Sequence, residues 1–244
     1  MNPKDYRRQV EEALKASSNV ARRDVRASPG LQAGPDWARD LDELMDTARN
    51  AREREDALWR LQAGTFLVAQ FAQYRPRYIQ ALQLAATDAD QTLRHAAFDV
   101  LANNKDDFAR RKLTEGLQDP EKALVSPAVA LGLLARDDHG AATSLARSFL
   151  SADSDPATRA QAVRVLSADP ASTSLLAERM GDKNEFREVR RASAVALRSL
   201  DPARFRALAQ DILADHSDFQ EIKATVRGAL ERDAATPLAT PAPT

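Results

Sequence analysis

Four arginines within twelve residues, Arg187, Arg190, Arg191 and Arg198, form a cluster in the C-terminal half of the chain. A guanidinium is a planar fork of N–H donors that grips a carboxylate or phosphate through parallel hydrogen bonds, so the cluster suits an acidic peptide or a phosphate group. Two other runs hold metal-ligand residue types, Asp137-Asp138-His139 and Asp215-His216-Ser217-Asp218. Neither has the i, i+4 spacing that sets two ligands on one helix face, and both fall between helices, where aspartate commonly caps; no metal site is expected. The sequence has no glycine-rich phosphate loop, no Gly-x-Ser-x-Gly elbow and no thiol, the usual equipment of phosphate binding and nucleophilic catalysis. The three histidines sit in separate units, and adjacent acids such as Glu11-Glu12 and Asp106-Asp107 fit helix first turns, where carboxylates complement the dipole. No cofactor and no catalytic residue are expected.

The elements that must position these side chains are helices. Glycine is scarce, with 8 in 244 residues, and no stretch alternates apolar and polar residues for long enough to make a strand, so the fold class is all-α. Hydrophobic residues make up 43%, much of it alanine, which buries little area but lets helices approach closely; the core should be thin and continuous. With 35 basic and 36 acidic residues, spread evenly along the chain, no global field attracts nucleic acid or an anionic membrane. Cysteine is absent, which excludes disulfides and fits a reducing compartment. No apolar run approaches membrane-spanning length and the first residues lack a signal-peptide core, so the expected address is the cytoplasm. The preference for arginine over lysine is what a GC-rich bacterial genome would produce.

A repeat organises the helices. Apolar residues open helix-like runs at Leu93, Leu124, Thr158, Val189 and Ile222, the first four followed by a small residue at the fifth position (Ala97, Ala128, Ala162, Ser193) and all by apolar residues at the eighth or ninth. Periods of this length mark a stack of supersecondary units, each burying its apolar face against its neighbours. The expected pairs are 76–86 with 91–103, 106–117 with 121–135, 139–151 with 156–167, 170–180 with 186–199, and 202–214 with 219–232. A degenerate first pair carries Trp37 to Ala48 and then Leu58, Leu61, Phe66, Leu67 and Phe71. Asp-Pro recurs at 119–120, 155–156, 169–170 and 201–202, where aspartate can cap a helix and proline can take its first position. Tyr6, Val10, Ala13 and Leu14 mark an amphipathic helix over 3–16, followed by a breaker-rich linker to residue 35. The stack should occupy 36–233, and 234–244, rich in Pro, Thr and Ala, reads as a disordered tail.

An apolar residue followed by Arg or Lys at the second helix of each unit (Leu93-Arg94, Thr158-Arg159, Val189-Arg190, Ile222-Lys223), then the small residue and the apolar pair, resembles the HEAT-repeat superfamily. The closest likeness is to the short bacterial repeats of phycobilisome lyases, and Glu188 to Leu200 is the best single match. Tetratricopeptide repeats have a similar period, but their Trp/Leu-Gly/Tyr pattern is missing. The resemblance implies an α-solenoid of five to six antiparallel helix pairs. It also implies a structural ladder in which Arg94, Arg159, Arg190 and Lys223 pair with an aspartate of the turn just before each, such as Asp88 or Asp90, Asp153 or Asp155, Asp182, and Asp215 or Asp218. Val125-Ser126-Pro127 has no basic residue and interrupts that ladder. On such a scaffold His95, Asp99, Arg164, Arg191, Arg198 and Arg227 would line the concave side, and Arg187 of the arginine cluster is expected to join them in binding the partner. Because they share no single charge, a nucleic-acid backbone fits poorly. The function expected is a non-enzymatic scaffold or adaptor binding a partner protein or acidic peptide. The resemblance also covers chromophore lyases and alkylpurine DNA glycosylases, which leaves an enzyme or enzyme accessory as the alternative.

Overall fold

The computed structural model describes residues 35–137, 139–151 and 154–235. The helix expected over 3–16, nearly all of the linker after it and the tail from 236 lie outside the described residues. Among those described, all regular structure is helical: α1 (Trp37–Met45), α2 (Ala51–Gly64), α3 (Val68–Phe71), α4 (Arg75–Ala85), α5 (Gln91–Asn103), α6 (Asp107–Gln118), α7 (Pro127–Asp137), α8 (His139–Ser151), α9 (Pro156–Leu166), α10 (Thr173–Gly181), α11 (Arg187–Leu200), α12 (Pro202–Ala214) and α13 (Gln220–Ala235).

Local chemistry sets most of the starts. Asn50, Asp90, Asp106, Asp155 and Asp201 each accept a hydrogen bond from the backbone N–H three residues on, satisfying a donor that the first turn leaves unpaired. Of the four Asp-Pro pairs, those at 155–156 and 201–202 open α9 and α12. Those at 119–120 and 169–170 open only three-residue 3₁₀ turns, and the α-helices begin further on.

Two expectations are corrected. The helix expected over 121–135 starts at Pro127, because Ser126 receives the N–H of Val129 at 3.4 Å and its carbonyl accepts from Ala130. The residue equivalent to Leu93 is therefore Val129, with Ala130 at the basic position, and Leu124 lies in the preceding connection. The run from Leu58 to Phe71 is likewise broken: α2 ends at Gly64, α3 is a separate short piece, and Phe66 is 81% exposed. Arg75-Pro76 opens α4, since proline at the first turn lacks only an N–H that has no intrahelical partner.

Neighbours in sequence pack together: α1 on α2, α4 on α5, α6 on α7, α8 on α9, α10 on α11 and α12 on α13. The second members also meet one another in chain order, α2 against α5, then α7, α9, α11 and α13. One apolar cluster runs from Trp37 to Ala196 and a second from Ala177 to Ala229. They meet at α11, which gives Val189 and Ala196 to the first and Ala194 and Leu197 to the second. Small residues let these helices come close: Ala57, Ala97, Ala162 and Ser193 are fully buried at equivalent positions. At the α1 end the core is aromatic, with Phe71 meeting Trp37 and Tyr78 edge-on at 5.2 and 5.6 Å. Burial pushes the Tyr78 hydroxyl well above its ordinary range, and it donates to Gln62 Oε1 at 2.9 Å.

Candidate functional site

The fourth residue after each second-helix cap is Arg54, Arg94, Ala130, Arg159, Arg190 or Lys223, and these positions knit the row together. Arg190 is fully buried. Its Nε donates to the carbonyl of Met180 at the end of α10, and both Nη atoms donate to Asp218 at 2.7 Å. Arg54 repeats the arrangement, with Nε on the Leu44 carbonyl at the end of α1 and Nη1 on Asp88 at 2.5 Å. Each guanidinium thus satisfies an orphan carbonyl of its own pair and a carboxylate in the turn of the next. Arg159 reaches Glu185, again in the following connection, in a buried two-point ion pair.

The ladder therefore runs forward, which corrects the pairing expected with the preceding turn. Asp90 and Asp155 are already spent capping their own helices, and Asp182 accepts from the backbone of Asn184. Arg94 holds the preceding turn through the carbonyls of Asp88 and Ala89, not through a carboxylate, and reaches forward to the carbonyl of Leu124 at 2.6 Å. Lys223 is buried at the last rung. The Arg190 guanidinium, opposed by burial and helped by the N–H of Phe219, holds the Asp218 carboxyl below its ordinary value.

Five residues past the cap, Glu55, His95 and Arg191 occupy one register; nine past it stand Trp59, Asp99, Arg164 and Val195. Here α2, α5, α7 and α9 leave a groove of about 580 Å³ between them. Its lining includes Glu55, Trp59, His95, Asp99, Arg136 and Gln161, together with the small residues Ala96 and Gly132. Trp59 is 46% exposed, with its indole N–H on Glu55 at 3.3 Å. Arg136 pairs with Asp99 at 2.5 Å across the α5–α7 boundary. His95 Nε2 is buried and has no hydrogen-bond partner among the described residues. An unpaired buried nitrogen is costly unless something bonds to it, and here it lies beside an open groove. A Cβ on Gly132 would stand 3.0 Å from Gln161 Nε2, so glycine leaves room between these two lining residues.

His95 and Asp99 are thus brought together, while the expected arginines lie outside the groove. Arg164 is exposed on α9 and donates to Gln161 Oε1 at 2.9 Å. Arg191 and Arg227 are exposed on α11 and α13 with no hydrogen bond or ion pair among the described residues. Arg187 is engaged by Glu221 at 3.2 Å and lies 4.3 Å from the Phe219 ring centroid. Arg198 is half-buried and bonded to Asp233 at 2.7 Å, so it ties α11 to α13 and offers little to a ligand. Arg190 belongs to the ladder and not to an exposed cluster. The residues sequence reasoning missed are Trp59, Arg136 and Gly132; Trp59 at the register of Asp99 was the available signal. No family model matches the chain, and a search of curated proteins found no match. Of the metal-type runs, Asp215 bonds Ser217 and Lys183 while Asp218 bonds Arg190, so both carboxylates are engaged by the fold; the side chains of 137–139 lie outside the described residues.

Proposed function

We propose that the protein is a non-enzymatic scaffold, a HEAT-type α-solenoid whose row of second helices binds an acidic peptide or the edge of a partner protein. The observation that carries this reading is the groove across four consecutive second helices, with a half-exposed tryptophan on its wall and an unpaired imidazole nitrogen beside it. Arg164, Arg191 and Arg227 extend the same row toward the C-terminus. A ligand with an apolar or aromatic side chain in the groove could lay acidic residues along these arginines. The stacking of second helices in chain order and the forward ladder support the solenoid. Small-angle scattering should accordingly show an elongated particle, and a compact profile would remove that part of the proposal. The cytoplasm, where peptides and protein partners are plentiful, is the proposed location.

The direct test is selection from a displayed peptide library against the wild type and Gly132→Leu. The substitution removes a glycine from a helix interior, and its Cβ meets only the flexible end of Gln161, so the fold should tolerate it. Peptides pairing an aromatic residue with nearby acids should enrich on the wild type and not on the variant. Equal enrichment on both would move binding off this groove, and a cleaved or modified peptide would favour catalysis.

A further inference from the structure

At three joints of the row the ladder cation finds an acid in the connection of the following pair: Arg54 meets Asp88 at 2.5 Å, Arg159 meets Glu185, and Arg190 meets Asp218. Lys223 stands at the same register on α13, is only 6% exposed, and has no hydrogen bond or ion pair among the described residues. Within those residues no connection follows α13. An ammonium largely stripped of water is unfavourable until an acceptor meets it. The other end of the row carries the converse. Asp46 lies in the α1–α2 connection, where no earlier ladder cation is described to reach it. Its Oδ1 accepts the N–H of Ala48 at 3.1 Å, the same local turn in which Asp88 Oδ1 accepts the N–H of Asp90 at 2.9 Å while Oδ2 takes Arg54. The second oxygen of Asp46 has Arg49 at 3.5 Å, and the side chain is 48% exposed, against 15% for Asp88 and 2% for Asp218. A second pair of positions repeats the match. On α11, Ala194 packs in the cluster of the following pair and Val189 in that of the preceding ones. The residue at the register of Ala194 on α13 is Arg227, exposed and without an ion pair, and the residue at the register of Val189 on α2 is Glu53, also exposed.

We propose that these ends are the two halves of one rung: Lys223 of one protomer meets Asp46 of its neighbour, with Arg227 beside Glu53, and copies of the chain associate head to tail. A second copy is the favoured occupant because the chain itself supplies the acid, in the turn geometry that an internal rung already uses. The contact joins two different surfaces, so each added copy leaves one end of each kind open, and growth stops only if the rotation closes a ring. Polar residues dominate both surfaces, so charge carries the contact and salt should weaken it. The peptide groove takes no part in it, and the two readings stand or fall separately.

The experiment is sedimentation velocity on the full chain over a range of protein and salt concentrations. The wild type should sediment faster as its concentration rises at low salt, and return to a monomer at high salt. Asp46→Lys and Lys223→Glu should each stay monomeric alone, because each sets like charge against like. Mixed in equal amounts they should associate again, since the mixture holds one unaltered end of each kind. Lys223 is buried, so Arg227→Glu, at an exposed position, takes its place in the mixture if Lys223→Glu does not fold; alone it should associate more weakly than the wild type. A wild type that is monomeric at every concentration and salt would overturn the proposal. Association that survives Asp46→Lys, or a mixture of folded variants that remains monomeric, would also overturn it.

Discussion

A single buried guanidinium does more for this molecule than any exposed arginine. Arg190 has no water to return to, so removing it leaves the Asp218 carboxylate and the Met180 carbonyl unpaired inside the protein. Arg190→Ala should lower unfolding free energy by roughly 3–5 kcal/mol, the cost of breaking a buried pair, whereas Arg191→Glu should stay within about 0.5 kcal/mol. Denaturant unfolding measures both, and equal effects would contradict the ladder. Acid should act through the same pair. The Asp218 carboxyl lies below its ordinary value of 3.8, so its contribution is complete above that pH and is lost as pH falls through the lowered value. Below about pH 4 the wild type should therefore lose stability more steeply than Asp218→Asn. Parallel stability-versus-pH curves would contradict that. The ladder positions were legible in the sequence from Arg94 onward, but Arg54 was not, because polar Glu53 hides the apolar opener. Its partner direction was not legible either. A helical side chain slopes toward its N-terminus and reaches the level of two connecting turns. Only the structure shows that the nearer acids are consumed as caps.

At the scale of elements, the bounds of α5, α8 and α12 follow the sequence reading, and at α5 and α12 cap residues and apolar periodicity agree. They fail at α7, where Leu124 has the right spacing but Ser126-Pro127 supplies the stronger start. They also fail around Phe66, where apolar composition alone suggested a continuous helix. The small positions rest on firmer ground. Ala162 is fully buried on α9, the helix that meets both α7 and α11, so Ala162→Leu should overpack the contact and cost about 1–3 kcal/mol. The same change at Ala224, exposed on α13, should leave the melting temperature nearly unchanged. Comparable shifts would mean that the second helices do not touch as described.

For the whole molecule, the division of labour is between a row of helices fixed by buried charge and one face left unfilled. The groove was only half legible from sequence: His95 and Asp99 were expected on this face, whereas the exposure of Trp59 depends on how α2 turns against α5. The most direct measurement is photo-cross-linking in the native cell, with a photoreactive residue placed at Arg136 or Gln161 in the groove, or at exposed Arg111 on α6. Binding along the second helices should give discrete adducts from Arg136 and Gln161 that disappear with Gly132→Leu, and none of these from Arg111. Adducts shared by both faces, or none from the groove positions, would contradict it.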